Sequence, residues 1–156
     1  MTSQIDIRPI QDRDYFGISE VENEVYEGHG YDFYFIRMIP FIFRTTCLIA
    51  ENKGKAVGYC LGALEDYNPS CGWLLSLVVK AEARNQGVGS ALMKQCIDLL
   101  CARGVKCIKL TVAEDNVGAV HLYQSIGFEV ASIENDFFGV GKHRLLMTSC
   151  KIGHSV

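Results

Sequence analysis

One junction limits the folds open to this chain more than any other. Residues 73–79, WLLSLVV, form an apolar run broken only by Ser76, and the glycine-bearing stretch RNQGVGS at 84–90 separates it from a long amphipathic segment. Such a run predicts a strand at the centre of a sheet, buried on both faces. Downstream, Val88, Ala91, Leu92, Cys96, Leu99 and Leu100 share one helical face, and the segment closes at Arg103-Gly104 with glycine just past its end. A central strand that feeds a helix implies a layered α/β architecture.

The remaining elements fall around that junction. Ile5 and Ile7 alternate with polar neighbours as an opening strand, and Ile18, Val21 and Val25 recur at i, i+3 and i+7 behind the candidate cap Asp14. Residues 31–39 are densely aromatic and predict a second short helix stopped near Pro40, its aromatic side chains mostly in the core. Residues 47–51 and 56–64 flank Asn52-Lys53-Gly54-Lys55 as an antiparallel hairpin. Residues 106–112 read as a strand and 116–126 as a helix closed by Gly127, and 128–133 and 143–150 finish as strands. The expected order is therefore strand, one or two helices, three strands, helix, strand, helix, two strands. With 156 residues, 49% of them hydrophobic, and no linker-like segment, residues 1–156 are expected to form one domain.

Composition narrows the partners. A formal net charge of -3 gives no broad basic face, which argues against nucleic acid. The N-terminal residues lack an apolar secretory core, and the stretch 34–43 is too short, and too interrupted by Arg37 and Pro40, to span a bilayer. A cytoplasmic protein without membrane contact is expected. Seven cysteines, with no C-x-x-C pair and no histidines at zinc-ligand spacing, predict reduced core thiols and no metal.

Arg84, Asn85, Gln86, Gly87, Val88, Gly89 and Ser90 form the candidate anion site. A helix start exposes backbone N–H groups and partial positive charge, glycine at 87 and 89 allows close approach, and Arg84 offers a charge-assisted bond. The same glycines also suit a simple turn. The stretch has no G-K-[ST] ending, and Leu92 stands where the third glycine of a dinucleotide fingerprint would fall.

Arg84-x-x-Gly87-x-Gly89 after an apolar strand, with Asn116-x-x-Ala119-x-x-x-Tyr123 and Ile126-Gly127-Phe128 downstream, resembles the two motifs of the GCN5-related N-acetyltransferases. The resemblance extends over roughly residues 4–150. It implies an α/β fold with a mixed, mostly antiparallel sheet of about six to seven strands flanked by about four helices. It also implies acetyl-CoA as cosubstrate and a primary amine as acceptor, attacked directly in a ternary complex, and a homodimer would be common for such a protein.

Position by position, the resemblance makes Leu77, Val78 and Val79 the strand that pairs with the pantetheine arm, and residues 84–90 the pyrophosphate loop. Asn116 and Ala119 fall beside the cofactor, and Tyr123 matches the general acid, although a helical tyrosine among Ala119, Leu122 and Ile126 also suits a core. A backbone N–H near Val78 would stabilise the developing oxyanion. Thr111 stands where a strand carboxylate or histidine often serves as base, so Glu65, Asp66 and His143 are the base candidates, with Glu65 placed first. The C-terminal segment 135–147 resembles the ending of ribosomal-protein alanine and other N-terminal acetyltransferases, which points to a peptide α-amine ahead of a small amine. The stretch 29–43 would overlie the acceptor. A non-catalytic acyl-CoA sensor on the same fold is the alternative.

Overall fold

The computed structural model describes residues 4–150. Its strands and helices are β1 Ile5–Pro9, α1 Tyr15–Tyr26, α2 Phe33–Ile42, β2 Cys47–Asn52, β3 Lys55–Leu64, β4 Cys71–Val79, α3 Val88–Ala102, β5 Cys107–Val112, α4 Val117–Ile126, β6 Glu129–Glu134 and β7 Arg144–Ser149. The order is the one expected. The strands are hydrogen-bonded as β1-β2-β3-β4-β5-β7-β6, parallel between β4 and β5 and antiparallel in the pairs β1–β2, β2–β3, β5–β7 and β6–β7. The chain divides into two compact units, each assembled from two segments.

The first unit comprises residues up to Ala63 together with Ser76–Leu99. Lys53 (φ 50°) and Gly54 (φ 76°) make the two-residue turn between β2 and β3, both left-handed as a tight hairpin requires. Arg8 on β1 ties the sheet edge to the entry of α1, its guanidinium 2.7 Å from Asp14 and 2.9 Å from Glu51. Ile18 and Val21 of α1, Ile36 and Ile39 of α2, and Ile49, Tyr59, Leu61 and Val78 of the strands form the core, each fully buried aliphatic contributing about 1.5–3 kcal/mol.

Two expectations for α2 are corrected. Pro40 lies inside the helix. It has no N–H to bond the carbonyl four residues back, and the helix runs only two residues further, closing when the Phe43 N–H bonds Ile39 O at 2.8 Å. The aromatic side chains are mostly outward, with Phe33, Tyr34 and Phe41 at 50%, 84% and 56% exposure, because Ile36, Ile39 and Pro40 fill the buried stripe.

The second unit comprises Leu64–Leu75 and the residues from Leu100 onward. Cys71 to Leu74 of β4 pair with Cys107 to Leu110 of β5. The β5–β7 register, Ile108 opposite Ser149, brings Cys107 and Cys150 side by side, and they form a disulfide. Sequence spacing did not reveal this pair, and the expectation that all thiols are reduced is corrected for these two cysteines. Cys47, Cys60, Cys71 and Cys96 are buried free thiols, as expected.

β4 also departs from expectation. Leu74 and Val78 are buried, but Leu75 is 40% exposed and Leu77 and Val79 are half-buried, so a nearly continuous apolar run does not mark a strand covered on both faces. Among the described residues no helix is long and apolar enough to cross a membrane.

Candidate active site

The end of β4 is fixed by its neighbour in the first unit. The Lys80 N–H donates to Val57 O at 2.8 Å, which sets the direction of the strand's alternating amides. Val78 shares that direction and faces β3. A Cβ on Gly58 would lie 2.7 Å from Val78 O, so only glycine lets β3 approach this closely. By that alternation the amides of Leu77 and Val79, the neighbours of Val78, point away from β3.

Beyond β4, a 3-10 turn over Ala81–Ala83 leads to Arg84, whose Nε donates back to Val79 O at 2.9 Å. Asn85 (φ 59°) and Gly87 (φ 77°) are both left-handed, and a Cβ on Gly87 would meet nothing within 4 Å. Backbone conformation, not crowding, requires glycine there. Residues 84–87 are exposed, and Gln86 Nε2 donates to Glu82 O at 3.0 Å. The first helical bond of α3 runs from the Ala91 N–H to Gly87 O at 3.0 Å, which leaves the amides of Val88, Gly89 and Ser90 in the first turn, where intrahelical acceptors end. First-turn amides beside backbone of alternating hand are the geometry that binds a phosphate group.

In the second unit, Asn116 is the N-cap of α4, its side chain accepting the Ala119 N–H at 3.3 Å. That engagement gives Asn116 a structural task that the motif alone did not disclose. Ala119 and Tyr123 are both half-buried, and α4 contains no fully buried residue. Tyr123 is thus not a core tyrosine; its ring centroid lies 6.3 Å from that of the buried Phe128.

Glu65 is held by Lys109, whose Nζ lies 3.2 and 3.4 Å from its two oxygens. Burial alone would raise the Glu65 pKa, but Lys109 and hydrogen bonds from Trp73 and Tyr67 more than offset it and hold the carboxylate below its usual range. A carboxylate so held is a weak proton acceptor. Asp66 is exposed, and His143 Nδ1 accepts the Asp136 N–H at 3.0 Å on an exposed turn.

One group was missed from the sequence. Glu22 on α1 is 2% exposed, with Oε1 accepting from the Tyr59 hydroxyl and Oε2 accepting the Tyr31 N–H at 2.8 Å. Burial first, and then the charge of Glu22, raise the Tyr59 phenol well above its usual range and push Tyr31 up to about 12. Burial and Glu22 raise Tyr26 as well, partly offset by Arg84. A signal for Glu22 was present, since it stands four residues after Ile18 and beside Val21, a charge on the apolar stripe of an amphipathic helix. A groove of about 760 Å³ opens elsewhere in the first unit, between Arg13, Glu20, Glu51 and Lys55, and reaches the β4 loop only at Lys80.

Residues 6–128 match the family model described as the acetyltransferase (GNAT) family. The N-terminal acetyltransferase complex ARD1 subunit homolog of Dictyostelium discoideum is 32% identical over 98 residues, 62% of this chain and 48% of that protein, so the chain spans about half that relative's length. An uncharacterized N-acetyltransferase of Methanocaldococcus jannaschii is 29% identical over 147 residues, 93% of this chain and 91% of that one. Among solved structures, the diaminobutyrate acetyltransferase EctA from Paenibacillus lautus, in complex with L-2,4-diaminobutyric acid and coenzyme A, has a TM-score of 0.87 over 99% of both chains at 18% identity, a likeness of fold. With most of its length matched by the family model, and with the strand, glycine loop and helix start in place, the chain belongs to the acetyltransferase (GNAT) family.

Proposed function

We propose that this chain transfers the acetyl group of acetyl-CoA to a primary amine. The observation that carries the reading is the β4–α3 junction, where the left-handed Asn85 and Gly87 open an exposed loop onto the first-turn amides of α3. That loop suits a pyrophosphate, and the outward amides of Leu77 and Val79 suit the carbonyls of a pantetheine arm. Acetyl-CoA, when bound, supplies the activated acetyl group.

The chain's own residues then have separate tasks. Residues 84–90 hold the diphosphate, and the N–H of Leu77 or Val79 donates to the acetyl oxygen as negative charge develops on it. Asn116 shapes the start of α4 as its cap. Tyr123, by its place in the motif and its half-buried setting, protonates the departing thiolate. The acceptor is a peptide α-amine or a small amine: the Dictyostelium relative is named an N-terminal acetyltransferase subunit homolog, and the Paenibacillus structure holds a diamino acid. On this reading the protein works in the cytoplasm and needs no metal.

A second reading, an acyl-CoA sensor, draws on Glu65, whose commitment to Lys109 leaves the leading base candidate weak. Thiol-release detection with acetyl-CoA and a panel of peptides, amino acids and polyamines separates the two. Amine-dependent release of coenzyme A is expected; tight acetyl-CoA binding without release for any amine would favour the sensor.

A further inference from the structure

In the first unit, Glu22 and Tyr59 together link α1, the α1–α2 connection, β3 and β4. Glu22 belongs to α1, accepts the Tyr31 amide in the α1–α2 connection, and accepts from Tyr59 on β3. Tyr59 Oη also lies 3.1 Å from Ser76 Oγ, on β4 immediately before Leu77. The phenol has one proton, which the carboxylate takes, so the second bond uses the proton of Ser76.

The surroundings are built to admit this carboxylate. A Cβ on Gly30 would fall 2.1 Å from Glu22 Oε2, so any larger residue there would displace it. Glu22 is 2% and Tyr59 0% exposed. With both oxygens engaged by protein donors and water excluded, Glu22 is poorly placed to take a proton from a substrate and well placed to fix what it holds.

What it holds is the connection that carries Tyr31 and abuts Tyr26, residues that are 37% and 42% exposed. Partly exposed tyrosine faces attract a cationic amine. We propose that Glu22, acting through Tyr31 and Tyr59, is a positioning residue for the acceptor amine, fixing the α1–α2 connection against Ser76 at the start of the donor segment. The proposal rests on the acetyltransferase reading given above.

Three variants test it: Glu22→Ala, Glu22→Gln and Tyr59→Phe. Glutamine can accept the Tyr31 N–H and donate to Tyr59, which then turns its proton to Ser76, so the network survives without charge. Hydrogen exchange needs no acceptor, and the Tyr31 amide is expected to exchange at least about tenfold faster in Glu22→Ala but not in Glu22→Gln. With saturating acetyl-CoA, and L-2,4-diaminobutyrate and an alanine-initial peptide as probes, acceptor KM should rise at least about fivefold in Glu22→Ala and Tyr59→Phe, while Glu22→Gln and every acetyl-CoA Kd stay within about twofold of wild type.

Unchanged acceptor KM in Glu22→Ala or Tyr59→Phe would overturn the proposal. So would a kcat loss in Glu22→Gln as deep as in Glu22→Ala, which would mean the carboxylate acts through its charge. If Glu22→Ala does not fold, Tyr59→Phe, which keeps the carboxylate, decides. If the wild-type protein turns over neither probe, the reading of the acceptor fails, and the exchange experiment still stands: unchanged Tyr31 exchange in Glu22→Ala overturns the positioning role.

Discussion

Glu65 and Glu22 occupy opposite settings. In the second unit, Glu65 faces a cation: Lys109 engages both oxygens, and the side chain keeps 12% of its exposure. In the first, Glu22 is buried and its two hydrogen-bond partners, a phenol and an amide, are neutral. An ion pair near the surface adds little stability and lowers basicity. A buried carboxylate among neutral donors is costly, and it persists where it organises its neighbours. The same residue type thus serves as a surface latch in one unit and as an internal knot in the other, and chain position alone does not say which.

In the proposed function the contrast extends to task, with diphosphate binding and acceptor positioning drawn from residues of the first unit and thiolate protonation from Tyr123 of the second. The largest effect should come from Gly87→Glu. It places a side chain at φ 77° and an acid beside the proposed diphosphate, and acetyl-CoA affinity should fall by about 100-fold or more, roughly 2.7 kcal/mol. Calorimetry showing normal affinity in a folded variant would remove binding from the first unit.

Next in size is Tyr123→Phe, which keeps the ring and removes the proton donor. It should lower kcat by at least about tenfold, roughly 1.4 kcal/mol in barrier, with acetyl-CoA affinity and Tm little changed. Equal losses in affinity and kcat would dissolve the division between units. Near-normal kcat, measured where chemistry limits turnover, would take Tyr123 out of the mechanism.

Glu65→Gln should be milder. Because Lys109 already holds the carboxylate below its usual range, kcat should change less than about threefold, short of the hundredfold or more that loss of a positioned base brings. A hundredfold loss together with a vanished acidic limb in the pH profile would restore Glu65 as the base.

The smallest effect concerns stability. A carboxylate whose folded pKa is depressed stabilises the fold above its unfolded pKa, and that contribution is lost as pH falls through the folded value. Wild type should therefore melt slightly above Glu65→Gln at neutral pH, and the gap should close below about pH 4, beneath the ordinary glutamate value. A gap that widens in acid would contradict the Lys109 pairing.

What the sequence disclosed divides along the same line. Residues 84–90 are consecutive, so a strand, a glycine loop and a helix start could be read together, and the order of strands and helices followed from period and punctuation. The Glu22 cluster is assembled from residues 22, 31, 59 and 76, and no local pattern joins them. Only the charge on the apolar stripe of α1 hinted at it. Pro40 was read as a stop because it lacks the helical donor, and the helix ends two residues beyond it. The aromatic α2 was read as core because composition does not say which face the isoleucines will take. Cys107 and Cys150 meet only through the β5–β7 register, which depends on a strand added at the far end of the chain. The exposure of Leu75 depends on neighbours that an apolar run cannot report.

The most direct test is mass spectrometry of candidate amines after incubation with acetyl-CoA, comparing wild type with Gly87→Glu. An acetyl amide should form on at least one peptide or small amine with the wild-type protein and be absent with the variant. Acetyl-CoA binding by calorimetry, with no acetylated amine from any acceptor, would contradict acetyl transfer and leave a protein that binds the donor without using it.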